Sequence, residues 1–289
     1  MTQTIVVTGG TAGIGRQTAI VLARSGARVV VTGRDQERGL EGLGEIRRAS
    51  GSSDVHLVRG DPSTRSEVRA LAEELRQRQP SIDVLINNAG SAAKSFRQTE
   101  DGFELDFAVN VAAPYGLTME LLPALQAAGP SRVVNLSGGQ AGGPLDPGNL
   151  QAEMGFRGLL TYDHSKRATE AMTLALAKQL TPHGLTVNIV YPGQEATSMT
   201  RSVTPGMLPW RMKPFWPVLA LMTREDGGKS AARASRSSVW AATAPELDGV
   251  SGAYFDADCR EAPLHPTVRD PANQRVVIDQ IERAWGSGT

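Results

Sequence analysis

Thr4-Ile5-Val6-Val7-Thr8-Gly9-Gly10-Thr11-Ala12-Gly13-Ile14-Gly15 begins as a β-branched apolar run and passes directly into a glycine-rich turn. Thr4 to Val7 predicts a buried strand, and Arg16 to Ser25, apolar at three- and four-residue spacing, predicts the helix that follows. A glycine-rich turn between strand and helix lets the backbone approach a pyrophosphate closely. The free N–H groups and positive dipole end of the helix then stabilise its charge. The spacing is G-x-x-x-G-x-G rather than G-x-G-x-x-G, so context gives the pattern its meaning, and a glycine turn without a ligand is the alternative.

Outward from this stretch, further short apolar runs read as strands: Ala27 to Thr32, Val55 to Val58, Val84 to Ile86, Arg132 to Leu136 and Thr186 to Val190, with a seventh near Val250 to Phe255. Ser66 to Arg78, Gly116 to Ala127 and Ser165 to Leu180 read as helices between them. Alternating strands and helices predict an α/β fold: a doubly wound parallel sheet of about seven strands with helices on both faces, the Rossmann arrangement. No linker or internal repeat divides the 289 residues, so residues 1–289 are expected to form a single domain.

Composition narrows the function classes. Thirty basic and thirty acidic residues cancel, which gives no electrostatic footprint for nucleic acid or an acidic membrane and favours a small-molecule substrate. The N-terminus lacks a signal peptide's basic and apolar regions, and the apolar stretch Met207 to Met222 is too interrupted by proline and charge to span a membrane. Cys259 is the only cysteine, which fits a reducing compartment and a cytoplasmic location. His56, His183 and His265 lack metal-ligand spacing, and no metal site is expected. Arginine exceeds lysine strongly, a compositional hint of a GC-rich bacterial genome.

The second strand ends Thr32-Gly33-Arg34-Asp35. An acidic side chain at this tip would bind the adenosine ribose of NAD, whereas Gly33 followed by Arg34 favours NADP(H) over NAD(H), since a guanidinium holds a 2′-phosphate bidentately. Asp35 weighs against that preference, and Arg16 is either an assisting cation or a solvated surface charge. Tyr162 and Lys166, four residues apart, fall on one helical face. A cation near the phenol is expected to favour its phenolate and bring its proton transfer closer to neutral pH. His164, two residues from Tyr162, faces elsewhere and is read as structural.

Together these residues resemble the short-chain dehydrogenase/reductase family over essentially the whole chain. The motifs are Gly9, Gly13 and Gly15; Asn87-Asn88-Ala89-Gly90; Asn110; Tyr162 with Lys166; and Pro192-Gly193. Asp101-Gly102-Phe103-Glu104, Asn149-Leu150-Gln151 and Ser251-Gly252-Ala253-Tyr254-Phe255 are similar to the retinol dehydrogenase and WW-domain oxidoreductase-like branch. The resemblance implies a nicotinamide cofactor contacted by Gly9, Thr11, Gly13, Ile14, Gly15, Arg34, Asp61, Asn88, Ala89, Gly90, Tyr162, Lys166, Pro192, Gly193 and Thr197. Asp61 and Asn88 would lie near the adenosine, Lys166 on the nicotinamide ribose and Thr197 near the carboxamide. It implies catalysis by Tyr162, Lys166, Asn110, which would hold a relay water, and Ser137. Self-association, where it occurs in the family, uses the helices equivalent to Gly116 to Ala127 and Ser165 to Leu180.

The family's carbonyl-binding serine is the second of two at the end of the fifth strand, and here the run is Asn135-Leu136-Ser137-Gly138-Gly139-Gln140. Aligned from the strand, Gly138 takes the serine's place; counted back 25 residues from Tyr162, Ser137 does. Loops absorb length changes more readily than strands, which favours the glycine register. Ser137, Gln140 or a backbone N–H would then have to replace the lost donor. Gln194 and Glu195 also depart from the family's small or apolar residues. Residues 194–235, with Pro209, Trp210, Phe215, Trp216, Leu219 and Leu221, are expected to form a substrate lid or a subunit contact. The expected function is NADPH-dependent oxidation or reduction of a carbonyl or alcohol on a moderately large apolar molecule, of the ketoreductase type found in secondary metabolism. The alternative is a non-redox cyclase or isomerase with a structural cofactor.

Overall fold

The computed structural model describes residues 2–138, 143–193, 204–207 and 229–285. Seven strands form one parallel sheet: β1 Thr4–Val7, β2 Arg28–Gly33, β3 Val55–Arg59, β4 Val84–Asn87, β5 Ser131–Leu136, β6 Leu185–Val190 and β7 Tyr254–Phe255, in the order β3-β2-β1-β4-β5-β6-β7. The order reverses between β1 and β4, whose register pairs Val7 with Ile86. Such a switch point opens a crevice beyond the strands' carboxyl ends.

Successive strand residues point to opposite faces, so each strand serves two cores. Ile5 and Val7 of β1 pack with α1 (Gly13–Arg24), α2 (Gln36–Ser50) and α8 (Lys229–Thr243), while Val6 packs on the other side among α3 (Arg65–Arg78), α5 (Ala113–Glu120), α6 (Leu122–Ala127) and α7 (Leu159–Leu180). A short α4 (Leu105–Phe107) runs through one π-helical turn, Ala108–Ala112, into α5. The helix of Tyr162 starts at Leu159, earlier than the periodicity marked, and Gly116 to Ala127 splits into α5 and α6.

Two last helices, α9 (Pro266–Arg269) and α10 (Pro271–Trp285), close the α5/α7 face. Trp285 lies against Gly116, where an added Cβ would come within 1.9 Å of the indole. Tyr115 donates to Glu282 at 2.7 Å and Lys178 to Gln274 at 2.9 Å. The chain's own C-terminal helix thus covers part of the surface that the resemblance implies for self-association. Among the described residues no helix is long and apolar enough to cross a membrane.

Candidate active site

At the switch point the glycine turn is fitted closely to the end of β4. Gly9 and Gly13 have φ of +61° and +54°, a left-handed conformation that side chains disfavour. At Gly15 a Cβ would lie 2.4 Å from Asn88 Nδ2 and 2.6 Å from the Gly9 carbonyl. Thr8 Oγ1 accepts from the N–H groups of Asn88 and Ala89, each at 3.0 Å, and Asn88 Nδ2 donates to the Thr8 carbonyl at 2.8 Å. Gly90 follows at once, partly exposed. Ile14 packs on the α1 core, and Ala12, the N-cap of α1, offers no side-chain acceptor to the helix's first N–H groups. A close-fitting glycine backbone leading to such an uncapped helix end suits a pyrophosphate, so these residues fit a dinucleotide.

The rim beside β2 has the same character. A Cβ on Gly33 would lie 2.9 Å from Thr11 Oγ1, so Thr11 occupies the space of a side chain at the strand tip. Arg34 is exposed, and its carbonyl accepts from Arg59 Nε at 3.2 Å. Asp35 is engaged in capping α2, accepting from the Arg38 N–H at 3.0 Å. Arg16 pairs with Glu45 on α2. Asp61 accepts from the Ser63 N–H at 3.0 Å in the turn after β3, and Pro192 and Gly193 follow β6, with Gly193 at φ +93°.

The other end of the crevice is built from buried polar groups. Tyr162 and Lys166 share a face of α7, with Nζ 5.9 Å from the phenol ring centroid and donating to the Leu136 carbonyl at 3.0 Å. Asn110 sits within the π-helical turn, a feature common at functional sites. Its amide bonds both backbone groups of Ser91, at 2.8 and 2.9 Å, and donates to Ser165 Oγ at 2.8 Å; its carbonyl accepts from Thr169 at 2.9 Å. Burial pushes the Lys166 ammonium down to about 8, against Asp106 and Glu170, which favour its charge. The phenol of Tyr162 is pushed up, first by burial and then by Asp163, Asp106 and Tyr191. That direction is opposite to the expected favouring of a phenolate, and its causes are burial and the neighbouring acidic groups.

Ser137 follows β5 directly. Its buried hydroxyl donates to Glu170 Oε1 at 2.5 Å, and Glu170 pairs with Arg167 at 2.8 Å. Gly138 faces Tyr162 and Lys166: a Cβ there would lie 2.7 Å from Lys166 Cγ and 3.5 Å from Tyr162 Cε1. His164 accepts from the Asp146 N–H at 2.9 Å through Nε2 and serves the preceding loop. Gln140, Gln194, Glu195, Thr197, Pro209, Trp210, Phe215, Trp216, Leu219 and Leu221 lie outside the described residues. Within the expected lid, Met207 is buried, and its carbonyl would be 2.6 Å from a Cβ on Gly158, just before α7.

Four buried polar residues were given no role in the sequence reading: Asn135, Thr173, Asp106 and Glu170. Asn87 donates to Asn135 at 2.8 Å, and Asn135 to Thr173 at 2.9 Å, tying β4 through β5 to α7. Glu170 and Asp106 read as ordinary helix charges, because only tertiary packing shows that they face inward. Among the described residues no group of three His, Cys, Asp or Glu side chains is placed to hold a metal.

A glycine turn at the switch point, an Asn, Tyr and Lys constellation and the strand order together define a dinucleotide-dependent oxidoreductase fold. The family model described as short chain dehydrogenase matches residues 3–207, and the chain belongs to that family of enzymes, on its retinol dehydrogenase-like branch. It is 33% identical to human retinol dehydrogenase 14, covering 97% of this chain and 85% of the relative, and 36% identical to mouse polyprenol dehydrogenase, covering 98% and 84%. Among solved structures it is similar to the Pseudomonas aeruginosa RhlG/NADP active-site complex, with TM-score 0.64, 26% identity and coverage of 88% of this chain and 94% of that one. These likenesses support a redox dehydrogenase or reductase using a nicotinamide cofactor.

Proposed function

We propose that the protein is an NADPH-dependent reductase of a carbonyl group on a moderately large apolar molecule. The observation that carries this reading is the pairing of Tyr162 with Lys166 on one face of α7, Nζ 5.9 Å from the ring centroid, which places a phenol to give a proton to a carbonyl oxygen. When bound, the nicotinamide supplies the hydride. Gly9, Thr11, Gly13, Ile14 and Gly15 would cradle the pyrophosphate, Asp61, Asn88, Ala89 and Gly90 the adenosine side, and Lys166, Pro192, Gly193 and Thr197 the nicotinamide side. Asn110 would hold the relay water that returns a proton toward Lys166. Ser137, turned toward Glu170, supports the end of β5, so polarisation of the carbonyl rests on Tyr162.

The preference for the phosphorylated cofactor is supported by Gly33 under Thr11, by Asp35 serving as a helix cap and by exposed Arg34. An apolar substrate is supported by the lid composition and by relatives named for retinol and polyprenol. The test is a panel of long-chain aldehydes and ketones with NADPH or NADH. NADPH loss in step with alcohol formation is expected, with Arg34→Ala lowering the NADPH over NADH preference about tenfold or more, as for a lost charge-assisted contact. Product formed without cofactor loss would instead identify a cyclase or isomerase.

A further inference from the structure

Asn110 lies in the π-helical turn, Ala108–Ala112, that joins α4 to α5. In an α-helix its carbonyl would accept from the N–H four residues on, and that residue is Pro114, which has none. A donor comes from another helix. Thr169, buried in the middle of α7, gives its hydroxyl to the Asn110 carbonyl at 2.9 Å and to the Ser165 carbonyl at 3.0 Å. The second contact is the usual back-bond of a helical threonine, whereas the first crosses between helices. Ser165, also buried, accepts from Asn110 Nδ2 at 2.8 Å and donates to the Tyr162 carbonyl at 2.7 Å. Backbone and side chain of Asn110 are thus both held by α7, from residues on either side of Lys166 in sequence. The same side-chain amide holds Ser91 at 2.8 and 2.9 Å.

We propose that Thr169 is a positioning residue of the proton relay: its hydroxyl supplies the hydrogen bond that Pro114 withholds and fixes the Asn110 turn to the helix that carries Tyr162 and Lys166. The proposal rests on the reading of Tyr162 and Lys166 as the proton-transfer pair, with Asn110 at the relay water. Fixing the Asn110 carbonyl fixes where such a water can bond it. A hydroxyl suits the task because it donates one hydrogen bond without adding a charge to the site of the Lys166 ammonium. Without it, a buried carbonyl loses a donor and the turn loses one of its two ties to α7.

Thr169→Val removes the hydroxyl and keeps the branched shape. Its kcat for carbonyl reduction should fall about tenfold with the KM for NADPH held within about twofold, since a misplaced relay group costs rate rather than binding. Thr169→Ser, which keeps the hydroxyl, should recover the rate, and the solvent deuterium isotope effect on kcat should rise in Thr169→Val as proton transfer becomes limiting. A second reading needs no turnover. The Ser91 N–H, whose acceptor is Asn110 Oδ1, should exchange with solvent about tenfold faster in Thr169→Val, measured by hydrogen-exchange NMR. Unchanged kcat, a loss that Thr169→Ser does not recover, or unchanged Ser91 exchange would overturn the proposal. If Thr169→Val fails to fold, Thr169→Ala, the stronger helix former, is judged by the same readings. Wild-type protein without reductase activity, but with Ser91 exchange quickened by the substitution, would contradict the functional reading and leave the tie between Thr169 and Asn110 standing.

Discussion

The two ends of the crevice are made of opposite materials. Around β1, β2 and β4 the surface is backbone and absent side chains: Gly9, Gly15 and Gly33 pressed against Asn88 and Thr11. Around β5, α4 and α7 it is buried ionisable side chains: Lys166, Asp106, Glu170 and Arg167. The first kind of site depends on shape and is damaged by adding atoms. The second depends on charge in a medium that solvates it poorly, and is damaged by removing a partner.

Substitutions that respect or violate this division sharpen it. The largest effect is expected from Tyr162→Phe, which removes one hydroxyl: kcat/KM should fall by about 10²- to 10⁴-fold, the usual worth of general acid catalysis, with dinucleotide affinity held. Steady-state kinetics beside calorimetric binding would check both halves. Gly15→Ala should do the reverse, adding one methyl group where Asn88 Nδ2 is 2.4 Å away. Dinucleotide affinity should drop about tenfold or more and stability by about 1–3 kcal/mol, the cost of overpacking, readable by denaturant titration.

Ser137→Ala tests which residue faces the chemistry. With its hydroxyl on Glu170, the substitution should cost about 1–3 kcal/mol of stability by depriving a buried carboxylate of a donor, while kcat falls less than about tenfold. A loss of about 10²- to 10³-fold, as for a missing oxyanion donor, would put the serine back at the carbonyl.

How much of this was legible depends on the same division. The glycine turn, the β2 tip and the Tyr162 and Lys166 spacing are local patterns, and the parallel sheet follows from apolar runs that are buried on both faces. Helix α2 went unread because Gly39, Gly42 and Gly44 depress helix propensity. Gly42 is there for packing, since a Cβ would lie 2.4 Å from the Thr11 carbonyl. Helix α10 carries Arg275, Asp279, Glu282 and Arg283, and only contact with α5 and α7 reveals what Trp285 covers. Asp106 and Glu170 look like solvated helix charges until neighbours from distant sequence enclose them.

The smallest effect expected is on pH dependence. Burial, then Asp106, pushes the Glu104 carboxyl up to about 7 from 4.5. A raised carboxyl pKa means the folded state binds the proton more tightly. Its stabilising contribution is therefore full below about 4.5 and is lost as pH rises through about 7. Glu104→Gln keeps an acceptor for the Phe107 N–H and should flatten that decline, gaining on wild type by about 1–2 kcal/mol between pH 5 and 8 in denaturant melts. An equal pH slope in both proteins would contradict this account of the buried carboxyl.

The central claim, that Tyr162 completes a reduction begun by a nicotinamide hydride, is tested most directly with NADPH deuterated at the transferring position of nicotinamide C4. Wild-type protein should place the deuterium on the carbinol carbon of the product alcohol, one per cofactor consumed, and Tyr162→Phe should bind the cofactor yet make little labelled alcohol. Product without deuterium, or undiminished labelling by Tyr162→Phe, would contradict it.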